Sequence, residues 1–313
     1  MNAAAALPQG QRGVALIVAL LVVALATVLI AGLVDRGELA FARTRNQRLE
    51  AQAQAYAQGL EVYAARVLQK AWEANGGSGS DSSASAWAVP LPPTPVPGGL
   101  ITATMRDRNG CFNLNNLVDA SGRPNAPWPD KFRRLLGALG LDPNVADAVV
   151  AWMDPQPGAE DPYYAAQPVP YRQAGRGFVH VSELRLVKGV SGDVYAALAP
   201  HVCALPRGTR INVNTATVPV LMTIDGVATP EAAQRIWQEG HANYATLADV
   251  AASVPAIAGQ SRYFGVQSSY FLARGEITVD GLPFTFYSLI ERRLGGGADG
   301  GIRVLARTRG GDE

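Results

Sequence analysis

The chain has 313 residues, 48% of them hydrophobic and 17% charged, and its 27 lysines and arginines stand against 26 aspartates and glutamates for a net charge of +1. That balance excludes a nucleic-acid binder working by bulk electrostatic attraction, which needs a clear basic excess, and the apolar content excludes a disordered chain. The length allows about two domains with a sizeable core, and 33 glycines and 21 prolines demand many turns.

From Val14 to Val34 runs an uncharged stretch, VALIVALLVVALATVLIAGLV, without proline. At 1.5 Å per residue its roughly 21 residues span about 30 Å, the thickness of bilayer hydrocarbon. Ahead of it lies a short segment, Met1 to Gly13, with Arg12 as its charged side chain; behind it come Asp35, Arg36, Glu38, Arg43, Arg45 and Arg48. A secretory signal peptide has a shorter apolar region that ends in a small-residue cleavage site. Here the run is long, the Ala-rich sequence continues beyond it, and a glycine, Gly13, sits at the polar-to-apolar junction itself. A plain signal anchor remains, as does an anchor processed at Gly13 on the cytoplasmic side.

From Glu38 to about Ala74 the composition stays helical and proline is absent. Leu49, Ala53, Tyr56, Leu60, Tyr63, Val67 and Leu68 fall at three- and four-residue steps and predict one apolar face; Asn75-Gly76-Gly77 predicts the stop. Residues 75–99, rich in Ser, Gly and Pro, read as a flexible linker. Residues 100–122 open a sheet with Leu100–Met105 as a strand. Residues 265–294 close it with a hairpin, strands Tyr270–Val279 and Pro283–Arg292 turning at Asp280-Gly281. The tail, 295–313, adds a ragged edge strand over Ile302–Arg307.

Between these parts lies a helical insertion, 123–264, of two units meeting near 206–211. Leu136–Leu141, Leu184–Val190 and Val220–Val227 each lead into a helix, at Pro143–Met153, Asp193–Ala199 and Pro230–Glu239. These resemble the helix–Gly-hairpin–helix units of SAM-like and helix–hairpin–helix folds. Basic neighbours of the hairpins are sparse, with Lys188 beside the second, so the glycines read as left-handed turn residues and no nucleic-acid partner is expected. The predicted class is α+β: a long N-terminal helix on a small antiparallel sheet, interrupted by an all-α insertion.

Asp154, Glu160 and Asp161 lie within eight residues on a Pro/Gly-rich loop with few basic neighbours, and Gln156 offers an amide oxygen. Clustered oxygen donors on irregular backbone suit Ca²⁺, although EF-hand spacing is missing and a solvated acidic turn has the same composition. Cys111 and Cys203 are either two buried thiols or, in an oxidising compartment, one bridge. Asn113, Asn115, Asn212 and Asn214 read as turn and capping residues. His180, His201 and His241 lack zinc spacing, and no G-x-S-x-G, Walker or dinucleotide fingerprint occurs, so no enzyme activity is expected.

Several segments carry a family resemblance in order along the chain. The junction Arg12-Gly13-Val14-Ala15-Leu16-Ile17-Val18 resembles the leader of type IV pilins and pseudopilins. Cys111–Leu117, Trp152-Met153-Asp154, Gly158–Tyr164, Pro170-Tyr171-Arg172, Ser182-Glu183-Leu184 and Ile211–Ala216 resemble the K-type minor pseudopilins of type II secretion systems. The resemblance covers most of the chain from Gly13 to about Leu294. It implies cleavage after Gly13 by a prepilin peptidase and methylation of Val14 as the mature N-terminus. It also implies a single pass through the bacterial inner membrane, with the bulk of the chain in the periplasm. The expected partners are I- and J-type minor pseudopilins and other secretion components, and calcium is expected at the loop of Asp154, Gln156, Glu160 and Asp161. Gln156 departs from that family's pattern, which has a second acidic residue there. Most pilins carry glutamate at the fifth mature position; here Val18 stands there, as in K subunits, which implies a place at the filament tip. The competing reading is a membrane-anchored periplasmic binding module, of a kind used in DNA uptake.

Overall fold

The computed structural model describes residues 11–74, 79–156, 162–293 and 301–311. The chain divides into two compact units, Met1–Ala55 and Tyr56–Glu313. Helix α1, Gln11–Ala74, runs from the first into the second; the stop expected at Asn75-Gly76-Gly77 lies outside the described residues.

The second unit is built on a five-stranded antiparallel sheet: β1 (Leu91–Val96), β2 (Gly99–Asp107), β7 (Tyr270–Val279), β8 (Leu282–Arg293) and β9 (Gly301–Arg309), paired in that order. Asp280 and Gly281 take φ of 48° and 77°, the positive pair that a tight hairpin turn between twisted strands requires. The linker reading of 75–99 needs correction over its described part. Residues 91–96 form edge strand β1, and Asp81, Ser82 and Trp87 are buried. Proline at an edge strand sacrifices no ladder donor, so a Pro-rich segment pairs here without penalty. The tail also joins the sheet as β9, with a bulge opposite Leu289 and Ile290.

Ala57, Leu60, Ala64 and Leu68 of α1 are buried, and Ala64 and Leu68 join Trp87, Phe271 and Ile290 in one cluster. The apolar face is rotated from the expected one: Tyr63 is exposed, and alanines occupy two of the contact positions. Small residues let the backbones approach, and β7 answers with Gly275, where a Cβ would lie 2.7 Å from Leu60 Cδ1. Glu61, on the same face, accepts from Ser288 Oγ at 2.6 Å and pairs with Arg307 of β9. Burial pushes its carboxyl up, but the Arg307 and Ser288 hydrogen bonds outweigh this and hold it below the usual range. Tyr56 Oη donates to Pro97 O at the β1–β2 turn, whereas Trp72 lies by Arg292 at the opposite end.

That opposite end is where the insertion leaves the sheet, since Asp107 of β2 is paired with Phe271 of β7. Its first helical unit holds β3 (Phe112–Asn113), α2 (Trp128–Ala138), α3 (Val145–Trp152), α4 (Pro162–Ala165) and α5 (Gly192–Leu198), closing with β4 (Val202–Cys203). The second holds β5 (Ile211–Asn212), α6 (Val218–Leu221), α7 (Pro230–Trp237) and α8 (Leu247–Ala251), closing with β6 (Phe264–Gly265). Each is fastened by a two-residue parallel pairing, β3 to β4 and β5 to β6. Both share one core in which Phe112, Phe132, Leu135, Leu184, Leu221, Ile236 and Phe264 are buried. The hairpin glycines Gly140, Gly189 and Gly226 take φ of 69°, 82° and 90°. Lys131 is buried but satisfied: its Nζ donates to Thr223 O at 3.1 Å and Gln260 Oε1 at 2.9 Å, and pairs with Asp225 at 3.3 Å.

Insertion, linker and sheet meet at Asp81. Its carboxylate pairs with Arg292 and accepts from Trp87 Nε1 (3.0 Å) and the Ser268 N–H (2.8 Å). Its carbonyl accepts from Asn212 Nδ2 (3.0 Å) and Asn214 Nδ2 (3.2 Å). Arg292 lies over the rings of Phe271 and Trp72, 4.9 and 5.3 Å from their centroids. Removing one member of a buried pair strands the other and costs about 3–5 kcal/mol. Asp81→Asn is therefore expected to lower the unfolding free energy of the full chain, read from urea titration in detergent, by that amount; a change within about 0.5 kcal/mol, the usual surface-substitution range, would contradict the hub.

Candidate functional site

Every side chain from Val14 to Val34 is exposed, and the most apolar 18-residue window of the helix has a mean hydropathy of 3.2 with none of it buried. A helix apolar on all faces needs an apolar surrounding, which a bilayer supplies. Val18 projects from this run with half its surface free, and no carboxylate occurs until Asp35. Gly13 lies in the helical backbone of α1; the leader residues 1–10 lie outside the described residues.

The acidic loop begins where α3 ends. Asp154 Oδ1 accepts the Gln156 N–H at 2.8 Å, leaving Oδ2 and the Gln156 amide oxygen as donors for a cation. The base of the loop is fixed. Pro155 packs on Gly122, where a Cβ would come within 2.2 Å of Pro155 Cδ, and the Gly175 N–H donates to Trp152 O at 3.0 Å. Trp152 is flanked by Tyr164 and Tyr171, with centroids 5.5 and 6.3 Å away, and its buried Nε1 has no partner among the described residues. Glu160 and Asp161, the other expected ligands, lie outside the described residues. Among the described residues no group of three or more His, Cys, Asp or Glu is placed to hold a metal ion. The chemistry of Asp154 and Gln156, two hard oxygen donors on one fixed turn, fits part of a calcium shell.

Cys111 and Cys203 are bonded, with Cα atoms 5.8 Å apart and a sequence separation of 92. A crosslink closing a loop of that length stabilises by on the order of 4–5 kcal/mol in the chain-entropy model. It lies next to asparagines that do more than cap turns. In Phe112-Asn113-Leu114-Asn115, Asn113 Oδ1 accepts the Asn115 N–H, while Asn115 accepts the Phe178 N–H and donates to Phe178 O. In Ile211-Asn212-Val213-Asn214 the same pattern recurs, with Tyr244 in place of Phe178. A capping box follows two residues after each aromatic, His180 with Glu183 and Thr246 with Asp249. The insertion thus contains two versions of one clamp. The recurring apolar-Asn-apolar-Asn string was the sequence signal for it. Nothing comparable marked Asp81, which sits in a Ser-rich stretch.

Asp107 closes the seam between β2 and the second helical unit, accepting from Asn109 N (2.7 Å), Asn212 Nδ2 (3.1 Å) and Thr215 Oγ1. Burial pushes its carboxyl up to about 6, against the opposing hydrogen bonds.

One apolar anchor helix running into an α+β body, with a helix face packed on an antiparallel sheet and a helical insertion between two neighbouring strands, defines a single-pass, membrane-anchored protein of pilin-like build. A family model for type II secretion system (T2SS) protein K matches residues 110–207. Type II secretion system protein K of Pseudomonas aeruginosa is 36% identical over 96% of this chain and 94% of its own length. That of Aeromonas hydrophila is 31% identical over 97% and 98%. The solved structure of the GspK-GspI-GspJ complex from the enterotoxigenic Escherichia coli Type 2 Secretion System contains a chain similar to this one. It superposes with a TM-score of 0.70 at 27% identity, covering 86% of this chain and 99% of that chain. The chain belongs to the type II secretion system protein K family. It is a minor pseudopilin, a structural component of the secretion machinery.

The raised Asp107 carboxyl has a sign for stability. Between about pH 4 and pH 6 the folded state holds a proton that the unfolded state, with an ordinary carboxyl near 3.9, has released. Stability from this group is present below pH 4 and is lost as pH rises through 6, on the order of 3 kcal/mol. The difference in unfolding free energy between the natural chain and Asp107→Asn should change over this interval and flatten above it. A difference independent of pH would show that Asp107 ionises normally.

Proposed function

We propose that this subunit caps or initiates the periplasmic pseudopilus that drives protein export across the outer membrane. The observation that carries the reading is Val18. In pilins the carboxylate at this place neutralises a neighbouring subunit's N-terminal ammonium inside an apolar filament core, where an unpaired charge is costly. A subunit with valine there has no charge to offer a subunit above it, which suits the tip. The insertion supports the same reading. It leaves the sheet at the ends of β2 and β7, beside Leu68 and Trp72 of α1, so its bulk obstructs further addition at that end. The partners on this reading are I- and J-type minor pseudopilins, with which the similar chain of known structure is assembled. The body faces the periplasm, where the Cys111–Cys203 bond is permitted.

This reading requires maturation by a prepilin peptidase. Intact-mass and N-terminal analysis of the chain from its own membranes should find methylated Val14 as the first residue. An unprocessed start at Met1 would reduce the protein to a signal-anchored binding module and remove the tip assignment.

We also propose that the loop from Asp154 to Asp161 takes calcium, Asp154 and Gln156 supplying oxygens together with Glu160 and Asp161. The ion would contribute structural rigidity to the first helical unit. If so, calcium at a hundredfold its Kd should stabilise the full chain by about 2.7 kcal/mol, read as a rise in melting temperature that magnesium does not reproduce. Asp154→Asn should abolish most of it; an equal rise in that variant would place calcium elsewhere.

A further inference from the structure

The connection between the two helical units, Pro206 to Arg210, is held more firmly than a linker requires. Asn113 Nδ2 donates to Pro206 O at 2.8 Å and Asn116 Nδ2 to Thr209 O at 2.8 Å, while Asn116 Oδ1 accepts the Gly208 N–H at 2.8 Å. Asn109 Nδ2 donates to Arg210 O at 3.0 Å. All three asparagines are buried, and Gly208 turns the chain at φ 80°.

From this fixed turn Arg207 and Arg210 reach one polar cavity of about 150 Å³, completed by Asn109, Gln267, Ser269 and Tyr270. Each guanidinium has a backbone surface behind it. A Cβ on Gly265 would lie 3.6 Å from Arg210 Cζ, and one on Gly177 would lie 3.6 Å from Arg207 Nη2. Both side chains are exposed, and neither has a hydrogen-bond or ion-pair partner among the described residues, which leaves the two guanidinium forks available to a ligand. An oxyanion between two guanidiniums gains from both charges, and guanidinium forks match the planar or tetrahedral oxygens of carboxylate and phosphate. The cavity has room for one such group and a few waters, at about 30 Å³ each.

We propose that Arg207 and Arg210 form an oxyanion-binding site that takes a carboxylate or phosphate group, supplied by an acidic segment of a protein partner or by a free inorganic ion. The site sits where the two helical units meet the start of β7, so an anion there joins three parts of the body. It stands independently of the tip assignment and of calcium.

The test uses the full chain in detergent micelles with ¹⁵N-labelled arginine. Inorganic phosphate and an acetylated, amidated Asp-Glu-Asp peptide are titrated separately at ionic strength held constant with chloride. The Nε–H resonances of Arg207 and Arg210 should move together and saturate with both probes. An Arg207→Gln/Arg210→Gln double variant with an unchanged melting temperature in chloride should bind at least tenfold more weakly. Tighter phosphate binding identifies a free inorganic ion as the source, and peptide binding equal to it or tighter identifies a partner's carboxylates; either upholds the site. Shifts that grow linearly without saturation, or that match those of the exposed Arg235 on α7, would overturn it. Should the double variant fold poorly, the saturation behaviour of the natural chain decides alone.

Discussion

The buried ion pair of Asp81 and Arg292 is the constraint on which the body of this protein depends. A charge so enclosed is tolerable only with a partner and satisfied hydrogen bonds, and the partners of Asp81 come from each part of the fold. Arg292 and Ser268 belong to the sheet and the approach to it, Trp87 to the segment leading into β1, and Asn212 and Asn214 to the second helical unit. Arg292 in turn covers Phe271 and Trp72, bringing in the last turn of α1. An insertion of helices between two neighbouring strands could pivot on its two connections. Here those connections are cross-braced, by Asp81 from one side and by Asp107 with Thr215 and Asn212 from the other.

The elements governed by local rules were legible in the sequence. The apolar run from Val14, the hairpin at Asp280-Gly281 and the left-handed glycines of the helical turns each follow from residue type and spacing alone. The rotation of the α1 contact face was not, because alanine is ambiguous: Ala57 and Ala64 are buried beside Leu60, whose side chain meets the sheet at Gly275. Strand β1 was hidden by its prolines, which signal a loop unless the strand is known to be an edge. Asp81 lay in a Ser-rich stretch whose composition suggests solvent, and its burial depends on Arg292, a residue 211 positions away. At the acidic loop, sequence named four oxygen donors, and the structure describes two of them.

Membership in the protein K family fixes what kind of component this is, and the physical reading bears on how it works. The N-terminal helix carries an apolar run, Val14 to Val34, that suits attachment to a bilayer and contains no carboxylate. The remainder is a braced body whose two clamped helical units share a core, the first closed by a disulfide and both tied by buried asparagines. On the proposed reading these properties belong together, since a subunit that ends a filament needs a stem that joins from below and a rigid mass that admits nothing above.

The most direct test of that account is to locate the subunit in assembled filaments. Gold labelling of an epitope placed in the exposed turn at Asp280-Gly281, imaged on pseudopili from cells that overproduce the major subunit, gives its position. The account predicts a label at one end of each filament and none along the shaft. Labels at regular intervals along the shaft would contradict it, because neither Val18 nor the insertion would then be limiting addition.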